Sequence, residues 1–345
     1  MRGLDPESDL SAICQLFSDV FSQPMPQPYW RWKYMQAPGS QHYHALAAHA
    51  TTGQLLGHMG VIIQPGVFGG QAIRMAHATD LMISPLARSG LGRDSVYRHI
   101  MQTVRERAFD AEPAAPPLFM YGFPGQRPAT LAMRLGIQRR LQICTEYPFN
   151  PTAASRPAAR GLWARLLQPW QQHHNLRLQT RPQPSEEAAW SDASLNPIWL
   201  RHANALATQD VQSARPAIAK TAAYLRWRYL QHPQQQTQPD GAPLYTLWLL
   251  NQPGSASEGW LVTRQSPRPT VVDSCLPGDS LTRARWVAAA LSALNQQRPG
   301  TWTTWLPHPG AQSLPTPIWA TAMQGAMFHD QWPSPEFQPG DTDVY

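Results

Sequence analysis

The chain has little charge and almost no lysine. Charged residues make up 14% of 345 residues, well below the usual quarter, and Lys33 and Lys220 are the only lysines. The remaining cations are arginines. They are spread out, with no run of five or more, so the net charge of +6 gives little support to nucleic-acid binding and suits a small anionic ligand equally well. Cysteine is scarce. Cys14, Cys144 and Cys275 lie far apart, without metal-ligand or redox spacing, which argues against a zinc centre or a disulfide scaffold. No run of eighteen apolar residues is present, so no membrane span is expected. The first ten residues carry acids where a signal peptide would have an apolar core. A soluble cytoplasmic protein is the expectation.

Proline is plentiful at 35 residues, about twice the usual ~5%. Several prolines gather between Asn150 and Pro197 and mark a connection between two domains. Within it, Leu162 to Trp170 has the apolar spacing of a helix. A second Pro/Gln-rich stretch, His232 to Pro243, reads as a surface loop. The polar tail from Pro333 to Tyr345 is expected to fray.

The chain repeats itself. Tyr29-Trp-Arg-Trp-Lys-Tyr-Met-Gln-Ala-Pro38 matches Tyr224-Leu-Arg-Trp-Arg-Tyr-Leu-Gln-His-Pro233 at six of ten positions. An alternating strand pair follows each copy, and Asp80 and Asp273 then sit at nearly the same offset in apolar strands. The repeat unit is a whole domain. In the first half, helices are expected over 8–21, 28–36, 90–109 and 127–135, with strands over 44–50, 54–63, 71–83, 118–122 and 138–147. This is an α+β unit with a mixed sheet. The aromatic set Trp30, Trp32 and Tyr34 reads as core. Arg31 and Arg226 could take an acidic ligand or pair with a carboxylate in their own domain.

The most specific local signal is Leu81-Met-Ile-Ser-Pro-Leu-Ala-Arg-Ser-Gly-Leu-Gly92. It runs from an apolar strand through a basic turn with two glycines into a helix. Backbone N–H groups and the positive helix end converge there, as an anion site requires. Arg88 adds charge, and Gly90 and Gly92 allow close backbone approach.

This segment resembles the acyl-CoA-binding motif of the GNAT superfamily of N-acyltransferases. The order of elements around it is similar, and so are Tyr121-Gly-Phe-Pro-Gly-Gln-Arg-Pro128 and Met133-Arg-Leu-Gly-Ile137. The resemblance covers residues 1–150. Residues 176–332 look like a second, degenerate copy, with 151–175 as the connection and 333–345 as a tail. In that copy Pro277-Gly-Asp-Ser-Leu-Thr282 stands where the phosphate loop should be, without paired glycines and with an acid.

The resemblance implies direct transfer of an acyl group from acetyl-CoA or another acyl-CoA to a small amine, such as an amino sugar. Ser89, Gly90, Leu91, Gly92 and Arg93, with Arg88, would hold the pyrophosphate. The strand edge at Leu81, Met82 and Ile83 would pair with the pantetheine amides. Asp80 is the candidate base. His77 could act through water or be a buried structural histidine, and Tyr121 is the candidate acid. Three positions depart from the pattern: Ala87, Ala132 and Thr79 stand where polar or acidic groups are usual. Two rival readings follow, a non-catalytic GNAT-like binding or scaffold protein and an aminoacyl-tRNA-dependent transferase. The glycine loop argues against the second. Asp273, in a half without that loop, argues that the aspartates are structural.

Overall fold

The computed structural model describes residues 3–39, 41–88, 95–109, 115–149, 177–180, 190–207, 214–235, 242–251, 258–265, 267–307, 312–323, 333–335 and 337–342. The helix expected over 162–170 lies outside them. The chain folds into two compact units, and their composition differs from a simple break near residue 150. The first comprises 1–142 with 214–219 and 318–335; the second comprises 143–213 with 220–317 and 336–345.

The first unit begins with helices α1 (Leu10–Phe21) and α2 (Gln27–Met35). Strands β1 (Gln41–Ala48), β2 (Leu55–Phe68) and β3 (Gln71–Ile83) form an antiparallel meander. Helix α3 (Val96–Phe109), strand β4 (Leu118–Gly122), helix α4 (Gln126–Arg134) and strand β5 (Gln138–Phe149) follow. β4 lies parallel to β3. This reproduces the expected order, and β3 and β4 have the expected bounds.

Alternation along the strands decides the two faces. Met59, Val61, Ala76 and Met120 pack with Tyr97, Ile100, Met101 and Val104 of α3. The intervening residues His58, Gly60, His77 and Thr79 therefore point to the opposite face, where Lys33 of α2 meets Thr79. α1 presents Leu10, Ile13, Leu16 and Phe17 as its buried stripe, the 3.6-residue pattern of its sequence. The aromatic set of α2 is core: Trp30, Trp32 and Tyr34 are all buried.

The second unit repeats the plan. Its elements are β6 (Arg177–Thr180), helix α5 (Asp192–Ala207), and helix α6 (Ala222–Leu225) continuing into a π turn at 226–230. Then come β8 (Tyr245–Asn251), β9 (Gly259–Arg264), β10 (Thr270–Cys275), helix α7 (Ser280–Gln297) and β11 (Trp302–Thr304). The short β7 (Ala217–Ile218) belongs to the first unit, where it pairs with β2. β8, β9 and β10 form a meander, and β11 is parallel to β10. α7 packs Trp286, Val287, Ala290, Leu291 and Leu294 against Trp248, Leu261 and Val271.

Each meander-plus-parallel-strand is closed by an antiparallel strand from the other half of the sequence. β12 (Leu314–Met323) lends Thr321 and Ala322 to β4 in the first unit. β5 lends Tyr147 to Phe149 to β11 in the second.

The tail differs from expectation. Phe337, Gln338, Asp341 and Thr342 are buried. Gln338 bonds both the hydroxyl and the carbonyl of Ser274, and Thr342 Oγ1 donates to the Pro339 carbonyl. Polar composition alone suggested fraying, but a polar segment is buried readily when its groups find partners.

Candidate active site

The strand that carries the candidate site is bent at a bulge. Gly60 pairs with Thr79 and His58 with Met82, so β3 carries one residue more than β2 between these pairs. Asp80 takes up the extra length in the left-handed region, at φ 51°. An L-residue other than glycine pays for that conformation, and Asp pays least apart from Asn. The bulge flips the alternation, so Leu81 and Ile83 pack on the α3 core while Met82 is buried on the opposite face.

Parallel pairing of β3 with β4 runs from Arg74–Leu118 to Ala78–Gly122 and stops there. β3 continues to Ile83. Residues 79–83 therefore have β2 on one side and, among the described residues, no strand on the other. Gly122 suits this fork, because a Cβ there would lie 3.0 Å from the Ala78 carbonyl oxygen. A turn at Pro85–Ala87 follows, with Ser84 Oγ accepting from the Leu86 N–H. Arg88 is exposed, and its Nε donates to the Ile83 carbonyl at 3.1 Å. Ser89, Gly90, Leu91, Gly92 and Arg93 lie outside the described residues. α3 resumes with Ser95 Oγ accepting from the Arg98 N–H.

Asp80 is not a free carboxylate. Lys33 Nζ lies 2.9 and 3.0 Å from its two oxygens, and Tyr34 Oη donates to Oδ2 at 2.7 Å. The side chains of Lys33 and Asp80 are each 3% exposed. Lys33 also bonds Thr79 Oγ1 at 2.9 Å. An acid so held is a poor acceptor for a substrate proton, since its lone pairs already serve a cation and a phenol.

The second unit has the same arrangement. Tyr229, the repeat partner of Tyr34, donates to Asp273 at 2.8 Å, and Lys220 pairs with Asp273. Here the lysine comes from the segment before α6, because the position equivalent to Lys33 is Arg228. Arg228 instead donates to the carbonyls of Gly340 and Thr342. Asp341 joins at 3.0 Å from Lys220. Burial alone would push Lys220 down, yet the two carboxylates hold it above its ordinary value. A lysine–aspartate–tyrosine knot in both units marks a device of the fold.

His77 and Tyr121 meet as cross-strand partners, stacked with centroids 5.1 Å apart and 2° between planes. Phe123 meets both edge-on. Tyr121 is 1% exposed. The structure thus brings His77, Thr79 and Asp80 of β3 and Tyr121 of β4 to one face, with the Tyr121 ring in an aromatic stack.

Sequence reasoning missed two histidines on that face. His44 Nδ1 and His58 Nε2 are 2.9 Å apart, and His58 Nδ1 is 3.1 Å from the Asp80 carbonyl oxygen. Burial holds His44 well below its ordinary value, helped by the neighbouring His58, His42 and Lys33. Burial likewise pushes His58 down to about 4, against the pull of Asp80. Both are neutral at pH 7. Their i and i+14 positions on adjacent strands were the available signal, and it becomes readable only once the strand register is known.

In the second unit Asp279 caps α7, its carboxylate accepting from the Thr282 N–H at 2.8 Å. Its pKa is lowered chiefly by the hydrogen bonds to Thr282. The helix end that would face a phosphate therefore already holds a carboxylate.

No protein-family profile and no curated protein matches the chain. Solved structures do. A conserved Enterococcus faecalis V583 protein of unknown function, described as a probable N-acyltransferase, aligns with 92% of this chain and 71% of its own at 13% identity and a TM-score of 0.57. A GCN5-related N-acetyltransferase from Kribbella flavida aligns with 96% and 71% at 11% identity and a TM-score of 0.56. Another from Anabaena variabilis ATCC 29413 gives 91% and 70% at 10% identity, with a TM-score of 0.56. The chain has the mixed α+β fold of GCN5-related N-acetyltransferases. Among the described residues no helix is long and apolar enough to cross a membrane, and no cluster of side chains could hold a metal.

Proposed function

We propose that the first unit is an acyl-CoA-dependent N-acyltransferase that passes an acetyl group from acetyl-CoA to a small amine. The observation that carries this reading is the fork between β3 and β4. Past Ala78 and Gly122 the strand edge at 79–83 has, among the described residues, no strand on one side, and it leads into the turn of Ser84 to Arg88, with α3 following from Val96. An extended amide-bearing chain can pair with such an edge, and its pyrophosphate would lie over the glycine turn and the α3 N-terminus. The strand edge at 79–83 and the exposed Arg88 fit this group. Leu81, Met82 and Ile83 would offer the backbone edge, and Arg88 with Ser89 to Arg93 the anion site.

Acetyl-CoA would supply an activated thioester. The chain's own part is to hold the thioester and the amine in contact, which lowers the barrier without a covalent enzyme intermediate. Asp80 serves here as a positioning residue, because its carboxylate is bound to Lys33 and Tyr34. His77, acting through water, and Tyr121, as the acid for the leaving thiolate, are the candidates for proton transfer. The second unit takes no acyl-CoA, since Asp279 already caps the helix end that would face the phosphates.

One observation favours the rival reading of a GNAT-like binding protein: the base expected at residue 80 is locked in an ion pair. Thiol release separates the two. Acetyl-CoA is incubated with the protein and a panel of glucosamine, spermidine and free amino acids. Release above the amine-free rate supports the transferase. Acetyl-CoA binding without release from any amine supports the binding protein.

A further inference from the structure

The two histidines distinguish the units more sharply than the aspartates do. Asp80 and Asp273 sit in matching knots of lysine and tyrosine. His58 pairs with Met82, two residues past Asp80. In the second unit Cys275, two residues past Asp273, pairs with Trp260. His44 lies two residues before Leu46, the partner of His58; Leu247 lies two residues before Leu249, the partner of Trp260. The equivalents of the buried pair are therefore Trp260 and Leu247, both buried and apolar. The fold stands without histidines at these positions, and they occur in the unit that has the glycine turn.

Their protonation follows from geometry. The Asp80 carbonyl can only accept, so His58 Nδ1 must carry the proton facing it at 3.1 Å. In neutral His58, Nε2 is then a bare acceptor. His44 Nδ1, 2.9 Å away, must donate to it. His44 Nε2 is left as an acceptor, buried and without a hydrogen-bond partner among the described residues. The line runs one way, from His44 through His58 to the bulge. Its end point is the carbonyl of the one strained residue of β3, at φ 51°, beside the open edge at 79–83.

We propose that His58, held in its tautomer by His44, is a positioning residue that fixes the Asp80 peptide, and with it the backbone of the bulge, against the acyl group. This rests on the acyltransferase reading. The groups facing the pair are Lys33 and Tyr34 of α2, His42 of β1 and Asp80 of β3; Cys14 of α1 is near enough to feel the Asp80 charge. Lys33 donates to Thr79 and Asp80, and Tyr34 to Asp80.

Nitrogen-15 NMR of the full chain, without acyl-CoA, reads the tautomers. The expected result is that His44 and His58 are both neutral with the proton on Nδ1, unchanged from pH 7 to 8. A proton on Nε2 of either ring, or a charged ring at pH 7, overturns the proposal. Kinetics with acetyl-CoA and glucosamine, or whichever amine of the panel reacts fastest, read the role. His58→Leu should lower kcat by about 100-fold, the usual penalty for misplacing reacting groups, with acetyl-CoA affinity unchanged. His58→Asn, whose amide can still donate to the carbonyl, should recover most of it. A His58→Leu variant with full kcat overturns the proposal, as does equal loss in both variants when both remain folded. A wild-type chain that neither binds nor turns over acetyl-CoA refutes the acyltransferase reading instead, and the tautomers remain a separate result.

Discussion

Removing the Asp80 carboxylate should harm stability before it harms chemistry. In Asp80→Ala, Lys33 would keep its charge with a side chain only 3% exposed, and Tyr34 Oη would lose its acceptor. Breaking a buried pair from one side costs about 3–5 kcal/mol, because the other charge is left uncompensated. Thr79 Oγ1 remains within 2.9 Å of Lys33, which places the cost at the lower end, about 3 kcal/mol. The relief of the left-handed backbone does not help, since Ala is worse than Asp at positive φ. Replacing both partners, as in Lys33→Met with Asp80→Asn, removes the stranded charge while keeping an acceptor for Tyr34 Oη and a residue that tolerates positive φ, and should recover most of the loss. Urea unfolding followed by tryptophan fluorescence measures each. The reasoning is refuted if Asp80→Ala unfolds at the wild-type midpoint, or if the double variant is no better than the single one.

Other outcomes follow from the same contacts. Gly60→Ala would place its Cβ 2.3 Å from Tyr34 Oη; the ring must move off Asp80, and a loss of about 1–3 kcal/mol is expected in urea unfolding. Acid should weaken the first unit. His58 binds its proton near pH 4 when folded against 6.5 unfolded, so the unfolded chain takes up more protons between these values and stability falls as pH drops from 6.5 to 4. The full change is about 3 kcal/mol, and His58→Leu should flatten that slope. Lys220 is shifted the other way: its folded pKa is raised, so its contribution is complete below the unfolded value of about 10.4 and disappears only above it. Lys220→Met should therefore destabilise the protein at pH 7 and remove that alkaline loss. Alkylation by iodoacetamide at pH 8 should be slow at Cys144 and Cys275, both buried with thiols pushed up to about 12; rapid labelling of either in the folded protein would contradict their burial.

Much of the fold was legible in local pattern. The amphipathic stripe of α1, the bounds of β3 and β4, and the aromatic core of α2 followed from periodicity and residue type. The repeat in sequence corresponded to a repeat in topology. What was not legible depends on contacts distant in sequence. Nothing local announces that Thr321 and Ala322 close the first unit, or that Tyr147 to Phe149 close the second. The buried tail was hidden for the same reason, since its partners Ser274 and Lys220 lie far back in the chain. At the site, strand alternation put His77 and Thr79 on one face of the strand that carries Asp80, but Lys33, 47 residues earlier, decides what Asp80 can do. A lone lysine in an aromatic helix carried no warning of that role, although the scarcity of lysine makes the burial of both Lys33 and Lys220 informative.

The central claim is that the first unit holds an acyl-CoA at the fork of β3 and β4 and the second does not. Calorimetric titration of acetyl-CoA into the full chain tests it most directly. The account predicts saturable binding of one equivalent per chain, weakened by Arg88→Glu. No binding to the wild-type chain, or two equivalents, would contradict it.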